Sequence, residues 1–314
     1  MLQLDDDSLL SALDFLPLTE LLHAESSCKR MRALSLSSGS FWWRRLVRQF
    51  GSSLRGVVLE GDLRALSLQI LAVVRRDPQI NLLQDVLSAS SVDREEESPR
   101  NVLRPSRCYD FFRLRHRYSP STDPDVGLAY FQMLCGCANG SPCYWSSRPN
   151  HSPDKVESME LELSVPVALV IGIVVTPYQA LFQPNAPVYA PRTVVVKFKD
   201  QDGKCYFESE PLAVENRFTE QRLVLERPAL FLGGTPLLEL RHMYQRQTLE
   251  GLEDFYMCLS HLRISGLELP GFDVASVGDA RRLSKSEDSQ RRTHPVKLAD
   301  RLVNQNGDIE LLYL

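Results

Sequence analysis

Residues 9–22 read Leu-Leu-Ser-Ala-Leu-Asp-Phe-Leu-Pro-Leu-Thr-Glu-Leu-Leu, and the fold of the first part of the chain follows from them. Leu9, Leu10, Leu13 and Leu16 fall at i, i+1, i+4 and i+7, one apolar stripe of a helix. Asp5, Asp6 and Asp7 stand at its start, where unpaired N–H groups favour negative charge. Pro17 stops that helix. Two more short helices are expected, broken near Thr19 and again at Ser37-Ser38-Gly39-Ser40. The last of them carries Phe41-Trp42-Trp43 and Leu46. Domains of about 40 residues seldom bury enough surface to stand alone. The expectation is a three-helix module that completes its core against a partner.

The order of these residues resembles the F-box. Phe15-Leu16, Glu20-Leu21-Leu22, Cys28-Lys29-Arg30 and Phe41-Trp42 occupy that family's aromatic-Leu, acid-Leu-Leu, Cys-basic and Leu-Trp places. Leu4-Asp5 replaces its opening Leu-Pro, and Met31 stands where Trp is usual. The resemblance implies docking on a Skp-type adaptor and, through it, on the cullin scaffold of a ubiquitin ligase. It assigns that contact to Leu9, Leu10, Leu13, Phe15, Leu16, Pro17, Leu21, Leu22, Cys28, Phe41, Trp42 and Leu46.

The chain has 314 residues, room for roughly two domains. Apolar content of 43% with 24% charged residues is that of a folded chain, and a net charge of −4 offers no general attraction for nucleic acid or anionic membrane. The longest apolar stretch, Val165 to Val175, is interrupted by Pro166 and Gly172 and falls short of the ~20 residues a bilayer requires. It reads as buried strand. Asp5 to Asp7 occupy the place of a basic leader region, so no export signal is expected. The seven scattered cysteines then read as reduced thiols in a cytoplasmic or nuclear protein.

Residues 54–76 repeat Leu63, Leu66, Ile70 and Val73-Val74 at helical spacing and end at Asp77-Pro78, which predicts a connector helix. From about residue 158 the period becomes two. Leu161, Leu163 and Val165 alternate with Glu160, Glu162 and Ser164. Val194, Val196 and Phe198 alternate with Val195, Lys197 and Lys199. Leu238 and Leu240 alternate with Glu239 and Arg241. Leu223 and Leu225 lie in a run that breaks at Arg227-Pro228, and the last run places Cys258, Ser260 and Leu262 on one face. Asp202-Gly203, Gly233-Gly234 and Pro270-Gly271 supply turns. Seven or so such strands indicate a β-sandwich or barrel.

By composition, residues 88–105 pass for a polar linker. Yet Ala89-Ser90-Ser91, Asn101-Val102-Leu103 and Tyr144-Trp145-Ser146-Ser147 are similar, in that order, to the opening of discoidin-like, galactose-binding-fold jelly rolls. That resemblance implies a sandwich closed by N- and C-terminal strands. Residues 106–141 are then an insertion rich in Arg, Tyr and Pro, expected to be partly disordered. Thr176-Pro177-Tyr178-Gln179-Ala180-x-Phe182-Gln183-Pro184, Pro187-Val188-Tyr189-Ala190 and Tyr256-x-Cys258-x-Ser260-His261 further resemble one group of plant and algal F-box proteins.

Candidate chemistry is sparse. Cys135-x-Cys137 with Cys143 and His151 can supply metal ligands, but the spacing matches no common zinc site, so small buried or loop thiols are the expectation and no metal or cofactor is assigned. Ser260 and His261, adjacent on a strand, face opposite sides, and no nucleophile elbow is present. Gly233-Gly234 precedes a strand and is a turn, not a phosphate cradle. Trp145 is expected in the core with its indole N–H on a backbone partner. Loops at one end of a jelly roll usually carry recognition, which points to Tyr178, Gln179, Gln183, Asn185, Arg246 and Gln247.

The expected architecture is therefore α+β and multidomain: an F-box over 1–50, a helical connector over 51–83, an antiparallel jelly-roll sandwich over 84–273, and a polar linker and tail over 274–314. The expected function is a non-enzymatic substrate receptor of a ubiquitin ligase, its target an unknown protein or glycoprotein. The alternative is a carbohydrate-binding or scaffold module with no ubiquitin-ligase role.

Overall fold

The computed structural model describes residues 5–54, 57–60, 62–75, 80–109, 135, 137, 140–181, 183, 185–249, 252–269 and 273–276, and the statements below concern these. Most of the expected insertion, and everything expected of the tail beyond 276, lies outside them. The chain divides into two compact units, Met1–Asp77 with Leu269–Leu314, and Pro78–Glu268.

The first unit opens with α1 (Asp6–Asp14), α2 (Leu18–Ser27), α3 (Lys29–Ser37) and α4 (Gly39–Phe50). Asp5 caps α1 by accepting from the Ser8 amide at 2.8 Å, and Ser38 caps α4 by accepting from the Phe41 amide. Four helices stand where three were expected. Thr19 lies inside α2, and the break falls at Cys28, whose backbone is extended. Nothing at Cys28 is a helix breaker. The break brings Met31 and Leu34 onto a core of Leu9, Leu13, Leu21, Phe41 and Trp42, so tertiary packing sets it.

That core is closed by polar groups as well. The Phe41 and Trp42 rings meet edge to face at 5.2 Å, and Trp42 Nε1 donates to the Ser35 carbonyl. Buried Glu25 accepts from Ser35 Oγ and pairs with Arg64 at 2.8 Å. Arg45 of α4 donates to the carbonyls of Leu13, Asp14 and Leu16 at the C-terminal end of α1. A cation there also suits the helix dipole.

The connector departs from an all-helical reading. Val57–Glu60 forms β1, and the helix α5 spans only Leu63–Arg75, with Asp62 accepting from the Arg64 and Ala65 amides. Val57-Val58 suits a strand. Its antiparallel partner, running Val57↔Ser276 to Glu60↔Asp273, is a strand far away in sequence that no local pattern reveals.

The second unit is a sandwich of two antiparallel sheets. Its strands are β2 (Leu83–Ala89), β3 (Trp145–Ser146), β4 (Glu157–Leu163), β5 (Val167–Pro177), β6 (Pro191–Lys199), β7 (Cys205–Glu208), β8 (Leu212–Ala213), β9 (Gln221–Leu232), β10 (Thr235–Met243) and β13 (Cys258–Glu268). A hairpin of β11 (Arg246–Leu249) and β12 (Leu252–Phe255) precedes β13, and the partner of β1 is β14 (Asp273–Ser276). One sheet has the order β2-β4-β10-β6-β7, with β8 also on β6; the other has β3-β13-β5-β9. Met159 and Leu161, Val194, Val196 and Phe198, and Leu238 and Leu240 enter the common core from the first sheet, as period two requires. Ile173, Leu259, Leu262 and Ile264 meet them from the second.

Two strands depart from simple alternation. β9 does not end at Arg227-Pro228. It continues to Leu232, and the register jumps between Val170↔Ala229 and Gly172↔Val224. β9 is the edge of its sheet, where a proline is tolerated. At Gly172 a Cβ would lie 2.3 Å from the Leu223 carbonyl oxygen, so only glycine admits this approach. In β13 a register shift between Leu259 and His261 inverts the faces. Leu259, Leu262 and Ile264 share the main core, while Cys258 joins a separate cluster, so the expected Cys258/Ser260/Leu262 face does not exist.

Residues 88–105 belong to the sandwich, and the linker reading is overturned. Ser90 and Ser91 hydroxyls donate to buried Glu157. Trp145 Nε1 donates to the Ser91 carbonyl at 3.0 Å, and Asn101 Nδ2 to the Glu96 and Tyr144 carbonyls. Val102, at the end of this segment, is fully buried in the core. The segment reads as a linker because Arg94, Glu95, Glu96 and Arg100 are exposed, while Ser90, Ser91 and Asn101 are used in internal hydrogen bonds. The N- and C-terminal ends of the sandwich meet where Asn81 bridges Ser265.

Candidate functional site

The twelve residues assigned to an adaptor contact separate by burial. Leu9, Leu13, Leu21, Phe41, Trp42 and Leu46 are buried, and all but Leu46 form the helical core just described. They hold the module together and present no face to a partner. Phe15 is 78% exposed, and Pro17 is exposed too; Leu10, Leu16, Leu22 and Cys28 are half-buried. Phe15 follows α1, with the Arg48 guanidinium 5.2 Å from its ring centre. Leu36 and Val47 of the same module are exposed as well.

In the sandwich, a half-open cleft of about 140 Å³ forms where β5 ends and β6 and β13 begin. Asp93, Arg94 and Glu97 come from the segment after β2; Tyr144 from just before β3 and Ser146 from its end; Tyr178, Gln183 and Tyr189 from the β5–β6 loop. Gln247 and Tyr256 complete it from the hairpin and its exit. Tyr144 stacks on Tyr178 with ring centres 3.8 Å apart. Tyr144 Oη donates to Glu97 Oε1 at 3.0 Å, and Tyr189 Oη contacts Gln183 and Gln247 Oε1 at 2.5 and 3.2 Å. Burial pushes the Glu97 carboxyl above its ordinary range, with the Tyr144 hydroxyl pulling the other way. Burial also pushes the Tyr189 phenol up to about 12, and the Tyr144 and Tyr178 phenols up as well. Glu97 Oε2 and Tyr178 Oη are buried with no hydrogen-bond partner among the described residues.

Of the loop residues named from sequence, Tyr178, Gln183 and Gln247 line this cleft. Gln179 and Asn185 shape the loop. Gln179 Nε2 donates to the Ala186 carbonyl, and Asn185 takes the left-handed backbone (φ 64°) that asparagine tolerates. Arg246 pairs with Glu253 across its hairpin. Asp93, Arg94, Glu97 and Tyr256 were not named, because their segment read as linker or strand end. Ser260 Oγ donates to the Thr176 carbonyl.

The chain is similar to an F-box protein. Over 166 residues it is 29% identical to F-box protein At4g00755 of Arabidopsis thaliana, a match covering 44% of this chain and 43% of the relative, less than half the length of either. No family model matches the chain. Among solved structures, the family 32 carbohydrate-binding module of Streptococcus pneumoniae EndoD aligns with a TM-score of 0.35 and 11% identity, covering 59% of this chain and 98% of that one. Chitosan-binding module 1 of a Paenibacillus sp. IK-5 chitosanase/glucanase aligns with a TM-score of 0.33 and 9% identity, covering 60% and 100%.

Behind the Tyr144–Tyr178 stack, Cys108, Cys135, Cys137 and Cys143 converge in one cluster with Ala180 and Phe218. His151, weighed with these cysteines from sequence, pairs instead with Asp254 at 2.8 Å. Cys108 takes its place, although 26 residues separate it from Cys135 and no local spacing signals it.

Proposed function

We propose that this chain is the substrate-recognition subunit of an SCF-type cullin-RING ubiquitin ligase. Its N-terminal helices dock on a Skp-type adaptor, and a cullin joins through that adaptor. The sandwich cleft takes the target. The chain performs no chemistry of its own: it raises the target's effective concentration beside a ubiquitin-loaded enzyme. Its work place is the cytoplasm or nucleus. No helix among the described residues is long and apolar enough to cross a membrane.

The observation that carries this reading is the 78% exposed Phe15, followed by half-buried Leu16 and exposed Pro17, on a module that also exposes Leu36 and Val47. Similarity to an F-box protein supports it. The test is co-expression of the full chain with a Skp-type adaptor, followed by size-exclusion chromatography. The wild type co-elutes with the adaptor, and the Leu10→Asp plus Phe15→Asp variant elutes alone with unchanged helical circular dichroism. A wild type that never co-elutes, or a variant that co-elutes equally, refutes the proposal.

One observation favours a second reading, a glycan-binding module. The cleft combines tyrosine faces with amides (Gln183, Gln247) and carboxylates (Asp93, Glu97), groups that suit ring stacking and hydroxyl recognition. A glycan array probed with the full chain distinguishes it: a defined glycan bound by the wild type and lost in Gln183→Ala supports this reading.

A further inference from the structure

The four clustered cysteines lie in the second unit and belong to no step above. Their six sulfur–sulfur distances are 3.0 Å (Cys108–Cys135), 3.0 Å (Cys135–Cys137), 3.3 Å (Cys137–Cys143), 3.3 Å (Cys108–Cys143), 3.5 Å (Cys135–Cys143) and 3.6 Å (Cys108–Cys137). Four points with six near-equal separations form a tetrahedron. A square would make two of the six longer by a factor of about 1.4, whereas the largest here is about 1.2 times the smallest. All four thiols are free, so no disulfide accounts for the approach.

A point at the centre of such a tetrahedron lies about 2.0 Å from each sulfur (0.61 of a mean edge of about 3.3 Å), against about 2.3 Å for a zinc–thiolate bond. A few tenths of an ångström of expansion would seat one ion. Edges this short leave no room for a cluster of several irons and sulfides. The surroundings suit thiolates. The Cys137 amide donates to Cys135 Sγ, the Cys143 amide donates to Cys137 Sγ, and Ser106 Oγ is 2.9 Å from Cys143 Sγ. Such donors orient sulfur ligands and offset their charge. Cys108 and Cys135 are buried, the other two half-buried, with Tyr109, Tyr144, Tyr178 and Phe218 around them.

We propose that Cys108, Cys135, Cys137 and Cys143 form a mononuclear structural zinc site. Four protein ligands complete a tetrahedron and leave no open position for catalysis. The chemistry is ligand exchange: four thiols lose their protons to solvent as four zinc–sulfur bonds replace the ion's bonds to water. The site joins the two ends of the 108–135 segment to the start of β3, beside the cleft. Binding energy at such a site is folding energy for the segment it closes.

The test uses the full chain, expressed with zinc and purified under reductant. Elemental analysis by inductively coupled plasma mass spectrometry should find about one zinc per chain. Cys108→Ser and Cys137→Ser should each reduce that at least tenfold, while Cys205→Ser, at an exposed position of β7, retains it. Cobalt(II) exchanged into the wild type should give the visible absorption of a tetrahedral tetrathiolate. If the serine variants do not fold, chelation of the wild type replaces them: four further thiols should react with a disulfide reagent, and added zinc should protect them again. Wild-type protein without stoichiometric zinc, iron in its place, two disulfides by intact mass, or chelation that exposes no thiols overturns the proposal.

Discussion

Leu13 and Phe15 are two residues apart and were assigned one role from sequence, yet the structure buries one and exposes the other. Leu13 is 2% exposed in the helical core and Phe15 is 78% exposed. Leu13→Ala leaves a cavity among Leu9, Leu21, Phe41 and Trp42, a class of change that costs about 2–5 kcal/mol. For a unit of this size that lowers the melting temperature by at least roughly 8 °C. Phe15→Ala removes a solvated ring and a contact with Arg48, and its stability should stay within about 0.5 kcal/mol of wild type. Its effect falls on association instead. Burying a phenylalanine side chain in an interface contributes about 1.5–3 kcal/mol, which predicts adaptor binding weaker by roughly 10- to 150-fold. Thermal denaturation and isothermal titration calorimetry against a Skp-type adaptor read the two effects separately. A Phe15→Ala protein that binds as tightly as wild type, or a Leu13→Ala protein that melts with it, refutes the division into core and contact.

Gly172→Ala should destabilise the sandwich by about 1–3 kcal/mol, because its Cβ would meet the Leu223 carbonyl oxygen at 2.3 Å; chemical denaturation followed by tryptophan fluorescence checks this. Glu97 sets a pH dependence. Its folded carboxyl titrates above the unfolded value of 4.5, so the protonated form favours folding, and that contribution is complete below 4.5 and lost as pH rises through the folded value. Wild type should therefore lose stability relative to Glu97→Gln as pH rises above 4.5, and melting curves that stay parallel as pH rises would contradict the assignment. Gln183→Ala plus Gln247→Ala, fused to a proximity-labelling enzyme, should lose labelled partners that the wild type marks, since both amides line the cleft; an unchanged set would place recognition elsewhere.

Local periodicity made much of the fold legible. Alternation at Leu161 and Leu163, Val194 to Phe198, and Leu238 to Leu240 named core residues correctly, because a strand's inward face is written every second residue. The Leu9/Leu13 stripe and the acidic helix start at Asp5 to Asp7 were equally local. Of the cleft, Tyr178 and Gln183 were named from sequence and do line it, while Asp93 and Glu97 were hidden in a segment whose polarity looked like that of a linker.

What sequence alone determined is therefore what neighbouring residues impose on one another: helix stripes, strand alternation and turns. Tertiary structure decided which residues far apart in the chain come together. It paired Val57 with Ser276, turned the chain at Cys28, shifted the faces of β13, and brought Cys108 to Cys135, Cys137 and Cys143. It also divided Leu13 from Phe15. Apolar character is a property of the residue, but burial depends on what packs over it, and that is set only when the whole chain has closed.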